Sequence, residues 1–97
     1  MTDIKLSPYD QFLRFVNAVG AGAFPEPIGA YFSREEGYVE IQYRQVDTRD
    51  ELDWLGVTID VEFPVEPEHS NDQWDFFRAQ RDDMWFVVPV VKTVTES

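Results

Sequence analysis

Apolar positions along this chain repeat with two periods, one helical and one of strand type. Tyr9, Phe12, Leu13, Val16 and Val19 fall at i, i+3, i+4, i+7 and i+10, a single stripe on a helix. Ser7 supplies a capping hydroxyl and Pro8 suits the first helical position. Asp10 lies in the first turn, where the helix dipole favours an anion, and Gly20 and Gly22 end the element. Residues 20–29, rich in Gly and Pro, form a connector. Its glycines match no phosphate-binding pattern, because GxxxxGK[ST] is missing and no strand precedes them.

Residues 30–33 and 38–46 predict a hairpin turning at Arg34, Glu35, Glu36 and Gly37, with Gly37 free to take positive φ. In its second strand Val39, Ile41 and Tyr43 share one face, and Glu40, Gln42 and Arg44 the other. Thr48 and Glu51 make a capping box for a short helical turn, Arg49 to Leu55, closed by Gly56; the rival assignment runs the next strand back to Leu52. Strict alternation from Val57 to Val65 predicts a strand, with Pro64 and Pro67 marking an edge. Ser70 and Gln73 form a second capping box, which predicts a helix through about Asp83 with Trp74, Phe77 and Arg81 on one face. The last strand, Met84 to Thr95, is apolar on both faces through Val91, as a central strand is, although Pro89 suggests a bulge. The expected fold is one α+β domain over residues 1–97, of order α-β-β-(short α)-β-α-β. It has an antiparallel sheet of about four strands and two main helices on one face.

Charge changes this picture more than composition does. Residues 35–83 carry fifteen carboxylates against Arg44, Arg49, Arg78 and Arg81, and the flanks are neutral, so the net charge of −11 belongs to this stretch alone. Such a balance repels DNA, RNA and anionic membranes and attracts basic surfaces. With 43% hydrophobic residues, fifteen aromatics and no cysteine, the chain is expected to be a folded protein without disulfides or cysteine metal sites. MTDIKLSPYD lacks the apolar run of a signal peptide, which points to the cytoplasm, or to a host cytoplasm if the source is a phage.

Catalytic chemistry is not evident. His69 has no second imidazole beside it, Ser7 and Ser70 are explained as caps, and no GxSxG or SxxK is present. Asp47, Asp50, Glu51 and Asp53 are spaced 1, 4, 5 and 7, which does not fit a calcium loop. The expectation is therefore a non-enzymatic protein with no cofactor and no metal.

The carboxylates themselves become the candidate site. Asp60, Glu62, Glu66 and Glu68 all lie opposite the odd-numbered apolar row, and Asp72, Asp75 and Asp82 fall on one stripe of the predicted second helix. With Glu40, Asp47, Asp50, Glu51, Asp53 and Asp83 they make a face expected to dock on a basic, nucleic-acid-binding protein as a polyanion mimic. Trp54 or Trp74, if exposed within that field, would anchor it, although each is expected in the core. In composition alone the chain resembles phage-encoded anti-defence proteins of the DNA-mimic kind, anti-restriction and anti-CRISPR. The alternatives are an immunity protein that neutralises a basic nuclease, and a phage structural subunit whose strand edges pair with another copy. A halophilic adaptation would spread its acidity evenly, unlike this chain. A homodimer is compatible with all of these.

Overall fold

A computed structural model describes residues 7–33 and 35–92. It is an α+β structure in which two helices lie over one face of a five-stranded mixed sheet. The elements are α1 (Pro8–Gly20), β1 (Gly29–Ser33), β2 (Tyr38–Gln42), α2 (Arg49–Ile59), β3 (His69–Ser70), β4 (Trp74–Arg81) and β5 (Met84–Val91). In space the strands run β1-β2-β5-β4-β3. All neighbours are antiparallel except β2 and β5, which are parallel, with Val39 opposite Met84 and Ile41 opposite Phe86. The expected all-antiparallel sheet is corrected on that point, because α2, β3 and β4 intervene between β2 and β5 and return the chain in the same direction.

Three local expectations hold. Ser7 caps α1 by accepting the Asp10 amide at 3.2 Å, with Pro8 behind it. The β1–β2 hairpin turns through Gly37 at φ 70°, and Arg34 lies outside the described residues. Thr48 accepts the Glu51 amide at 3.2 Å, and the Glu51 carboxylate reaches back to the Asp47 amide at 2.8 Å.

Two expectations fail. The Val57–Val65 strand does not form. Instead α2 runs on to Ile59, because Leu52, Leu55, Gly56 and Ile59 make a buried helical stripe. Asp60 then closes the helix in the left-handed conformation (φ 62°, ψ 49°), and an irregular segment follows. Val57 and Val65 are 80% and 85% exposed, whereas Ile59 and Phe63 are buried, so the alternation had no sheet face behind it. Nor does the Ser70–Asp83 helix form. Ser70 belongs to β3, and residues 74–81 are a strand that pairs with β5 along its whole length. The last strand ends at Val91, and its expected extension over 93–95 lies outside the described residues. Pro89 is accommodated in this central strand because β2 has already ended there. Val46 bridges to β5 instead, donating its amide to the Pro89 carbonyl at 3.0 Å.

The core lies between the sheet and the helices. Val39 and Ile41 of β2, Phe77 and Ala79 of β4, and Met84, Phe86, Val88 and Val90 of β5 meet Phe15 of α1 and Leu52, Leu55 and Ile59 of α2. Two arginines brace it. Arg49 lies over the Phe77 ring and donates to the carbonyls of Phe63 and Pro64, which holds the returning segment against α2. Arg81 donates to the Ile59 carbonyl at the other end of the helix and lies over Phe24 and Phe86.

Gly56 is required by a close approach. A Cβ there would sit 2.8 Å from the Val61 carbonyl oxygen and 3.2 Å from the Phe63 ring. Gly56→Ala is expected to lose about 1–2 kcal/mol, the overpacking penalty less alanine's helical advantage, read as a lower urea midpoint. Asp60→Gly is expected to gain about 1 kcal/mol in the same assay, because glycine takes positive φ freely and removes an anion from the negative end of the helix dipole.

Candidate functional site

The chain folds so that most of its cationic groups in the acidic stretch are used internally. Arg49 pairs with Asp53 at 2.9 Å, and Arg78 lies between Glu40 (3.8 Å) and Glu68 (3.4 Å). Asp75 is 3.9 Å from Lys92. Asp50, Asp60, Glu62, Glu66, Asp72 and Asp82 make no ion pair among the described residues. Asp83 belongs to the scaffold: its amide and carboxylate exchange two 3.0 Å hydrogen bonds with Gln11, which pins α1 to the β4–β5 turn.

The thirteen predicted residues are not brought onto one face. Asp50, Glu51 and Asp53 cluster on the first turns of α2, Asp47 precedes its cap, and Asp60 marks its far end. Glu62, Glu66 and Glu68 lie on the irregular segment and its junction with β3, so they form no strand row. Asp72 precedes β4 and Asp82 follows it, so these two lie at opposite ends of an eight-residue strand, roughly 25 Å apart. The expected helical stripe of Asp72, Asp75 and Asp82 is therefore replaced by three separate positions. Glu40 sits on the sheet face away from the helices, beside Arg78.

What the structure does bring together is acidity and an exposed aromatic on α2. The helix buries Leu52, Leu55 and Ile59 and turns Trp54 (68% exposed) and Val57 to solvent, beside Asp50 and Asp53. Thr58 donates its hydroxyl to the Trp54 carbonyl at 3.0 Å within the same helix. Trp54 also forms one wall of a groove of about 840 Å³, shared with Glu51, Glu26, Pro25, Pro27, Ile28 and Arg44. Ile28, 61% exposed, is a ridge common to this groove and two smaller hollows. One, about 290 Å³, lies beneath Phe12, Val16 and Val19 of α1, and the other, about 430 Å³, beside Trp74, Phe76 and Pro89. A trough thus runs from α1 past Ile28 to Trp54. The expectation that Trp54 lies in the core is corrected. Trp74 is half-buried, its indole N–H donating to Gln45 at 2.9 Å.

Tyr43 forms part of the groove floor and fixes its shape. Its hydroxyl donates to the Pro25 carbonyl at 3.0 Å, which ties the Gly/Pro connector to the end of β2. Among the described residues no three His, Asp or Glu side chains converge to hold a metal ion, and no helix is long and apolar enough to cross a membrane. His69 is an exposed β3 residue stacked on Phe76 at 5.7 Å.

Burial pushes the Tyr43 phenol up to about 12, against a smaller opposing effect of Arg81. Its folded pKa lies above the unfolded value near 10, so its contribution is full below pH 10 and is lost as pH rises from 10 to 12. Denaturant titrations across that window are expected to lose roughly 2–3 kcal/mol from this group, with a flatter profile in Tyr43→Phe. Compared with protein-family models, curated proteins and solved structures, the chain matches none of them.

Proposed function

We propose that this protein is a non-enzymatic binding module that docks on a basic protein surface through the outer face of α2 and the trough beside it. The observation that carries this is Trp54, 68% exposed on a helix whose neighbouring outward positions include Asp50 and Asp53. Interface energy concentrates in large aromatics of this kind, and here Trp54 stands beside exposed Val57 and borders a groove. The surrounding carboxylates select a cationic partner and speed its approach, while the partner's arginines find the Trp54 ring available for stacking.

The target class that fits is the nucleic-acid-binding surface of a protein, where basic side chains are clustered and exposed. The module would occupy that surface in place of nucleic acid, as inhibitors of the anti-defence kind do. A protein that neutralises a basic nuclease would use the same face. The contact set contracts relative to the thirteen carboxylates. Asp50, Glu51 and Trp54 form its centre, with Val57, Asp60 and Glu26 at its margins, while Glu40, Asp53, Glu68 and Asp75 are already paired within the protein.

The test is calorimetric titration against a panel of DNA-binding proteins and an arginine-rich peptide at 50 and 300 mM salt. Binding is expected to weaken at least tenfold with salt and to be displaced by DNA. Trp54→Ala is expected to lose about 2 kcal/mol of affinity, roughly thirtyfold. Asp50→Lys should lose more than Glu35→Lys, which changes charge equally on the β1–β2 turn. Equal losses from the two lysine variants, with Trp54→Ala neutral, would show that net charge alone attracts the partner and would eliminate α2 as the docking face.

A further inference from the structure

The face of the sheet away from the helices carries a band of aromatic side chains, half-buried against one another and against Arg78, with no element packed over it among the described residues. Alternation along β4 and β5 places Trp74, Phe76, Trp85 and Val87 on it, and Tyr31 and Tyr38 extend it across β1 and β2. The rings touch one another: Tyr31 and Tyr38 lie 6.5 Å apart, and Trp74 and Phe76 6.3 Å apart. At the centre the Arg78 guanidinium lies 3.9 Å above the Trp85 ring, between Glu40 and Glu68. A sheet with helices on one side ordinarily presents polar residues on the other.

We propose that this face is a self-association surface, on which two copies of the chain stack sheet to sheet about a two-fold axis. Charge identifies the occupant. Glu40 and Glu68 are matched by Arg78 and by Arg44, which borders the hollow beside Trp74 and Phe76, and Glu36 beside Tyr38 is left over, so these groups sum to a single negative charge on a molecule of net charge −11. A basic partner finds little attraction here, and nucleic acid is repelled by the rest of the molecule. A second copy brings an equally weakly charged, equally aromatic face, and the carboxylates of α2 stay on the far side of each sheet. Size sets the strength. Strand spacing and rise over five strands of two to eight residues give a footprint of roughly 450 Å² in projection before the relief of the rings is counted. That is little more than half of the ~800 Å² each partner contributes to a standard interface, which makes this a weak, concentration-dependent dimer. The Arg78–Trp85 stack at its centre is the kind of residue pair in which interface energy concentrates.

The surface meets the α2 trough at a rim where Arg44 borders both hollows, and its salt dependence has the opposite sign. Screening relieves the repulsion between two copies of charge −11, so the dimer is expected to tighten several-fold between 50 and 500 mM NaCl, whereas binding to a basic partner weakens. Sedimentation equilibrium from 5 to 200 µM at both salt concentrations reads this directly. Gln42→Lys and Tyr31→Lys place charges at exposed positions on the face, leave the core untouched, and are each expected to convert the dimer to monomer with an unchanged circular dichroism spectrum. Trp54→Ala is expected to leave the dimer intact. A monomer at 200 µM in both salts overturns the proposal, as does a dimer that salt weakens or that both lysine variants leave unaltered.

Discussion

The fold depends on β5 being paired on both edges and apolar on both faces. Its pairing with β2 is parallel, unlike the pairing of the other named strands among the described residues, and that ladder brings the two halves of the described chain together. Phe86 and Val88 are fully buried, and Phe86 meets the Phe15 ring of α1 at 5.6 Å. Each such side chain contributes about 1.5–3 kcal/mol on removal from water. A parallel pair cannot be closed by a tight turn, so residues 43–83 must leave β2 and return beside it. The long connection is what places α2 on the helical side of the sheet and β4 on the other edge of β5. Both surfaces proposed for binding follow from that one excursion.

The excursion also explains how a stretch of net charge −11 folds without its few cations being wasted at the periphery. Arg49 and Arg81 each reach from one element to backbone carbonyls of another, at the two ends of α2. Arg78 spans Glu40 and Glu68 across the open side of the sheet. Positive charge in this region therefore acts mainly as internal bracing, and the carboxylates left over face water. A surface tuned for stability alone would interleave signs to limit self-repulsion. Here the bases serve the architecture, and the outward field is what remains.

The legible parts of the sequence were those where a local signal and the tertiary environment agreed. Ser7-Pro8, the turn at Gly37, and the Thr48–Glu51 box each define an element without help from distant residues, whereas the apolar stripe expected on α1 is corrected: the helix buries Gln11 and Phe15 and leaves Tyr9, Leu13 and Val16 exposed. Residues 57–65 misled because alternation is informative only when a sheet lies alongside. The buried stripe of Leu52, Leu55 and Ile59 extended the helix through half of that segment, and Pro64 and Pro67 kept the rest unpaired. β4 misled for the opposite reason. Trp74 and Phe76 on one face and Phe77 on the other erase the period of two, so the aromatic open face hid the strand that carries it. Trp54 was hidden by the length assigned to α2. Once the helix reaches Ile59, a wheel drawn from Leu52 turns Trp54 and Val57 outward, so that signal lay in the sequence all along. Charge alone could count the carboxylates but not sort them, because their grouping depends on β4 being a strand with Asp72 and Asp82 at its two ends.

The carboxylates differ in what they cost the fold. Asp50 and Glu51 sit in the first turn of α2, where the dipole stabilises an anion and Glu51 completes the capping box, so folding alone explains them. Asp53 is an i, i+4 partner of Arg49 and is equally at home. Asp60 is different. It occupies a left-handed position that glycine fills at lower cost, and it adds a negative charge where the helix already presents its negative end, with no basic residue in the last turn. Asp82 likewise takes positive φ, at 55°, in the turn between β4 and β5. Trp54 and Val57, left in water between the two ends of α2, depart from the same logic in apolar terms. Local choices that folding would not make therefore occur at several places on the surface, and on α2 three of them, Trp54, Val57 and Asp60, share one element with the acidic first turn.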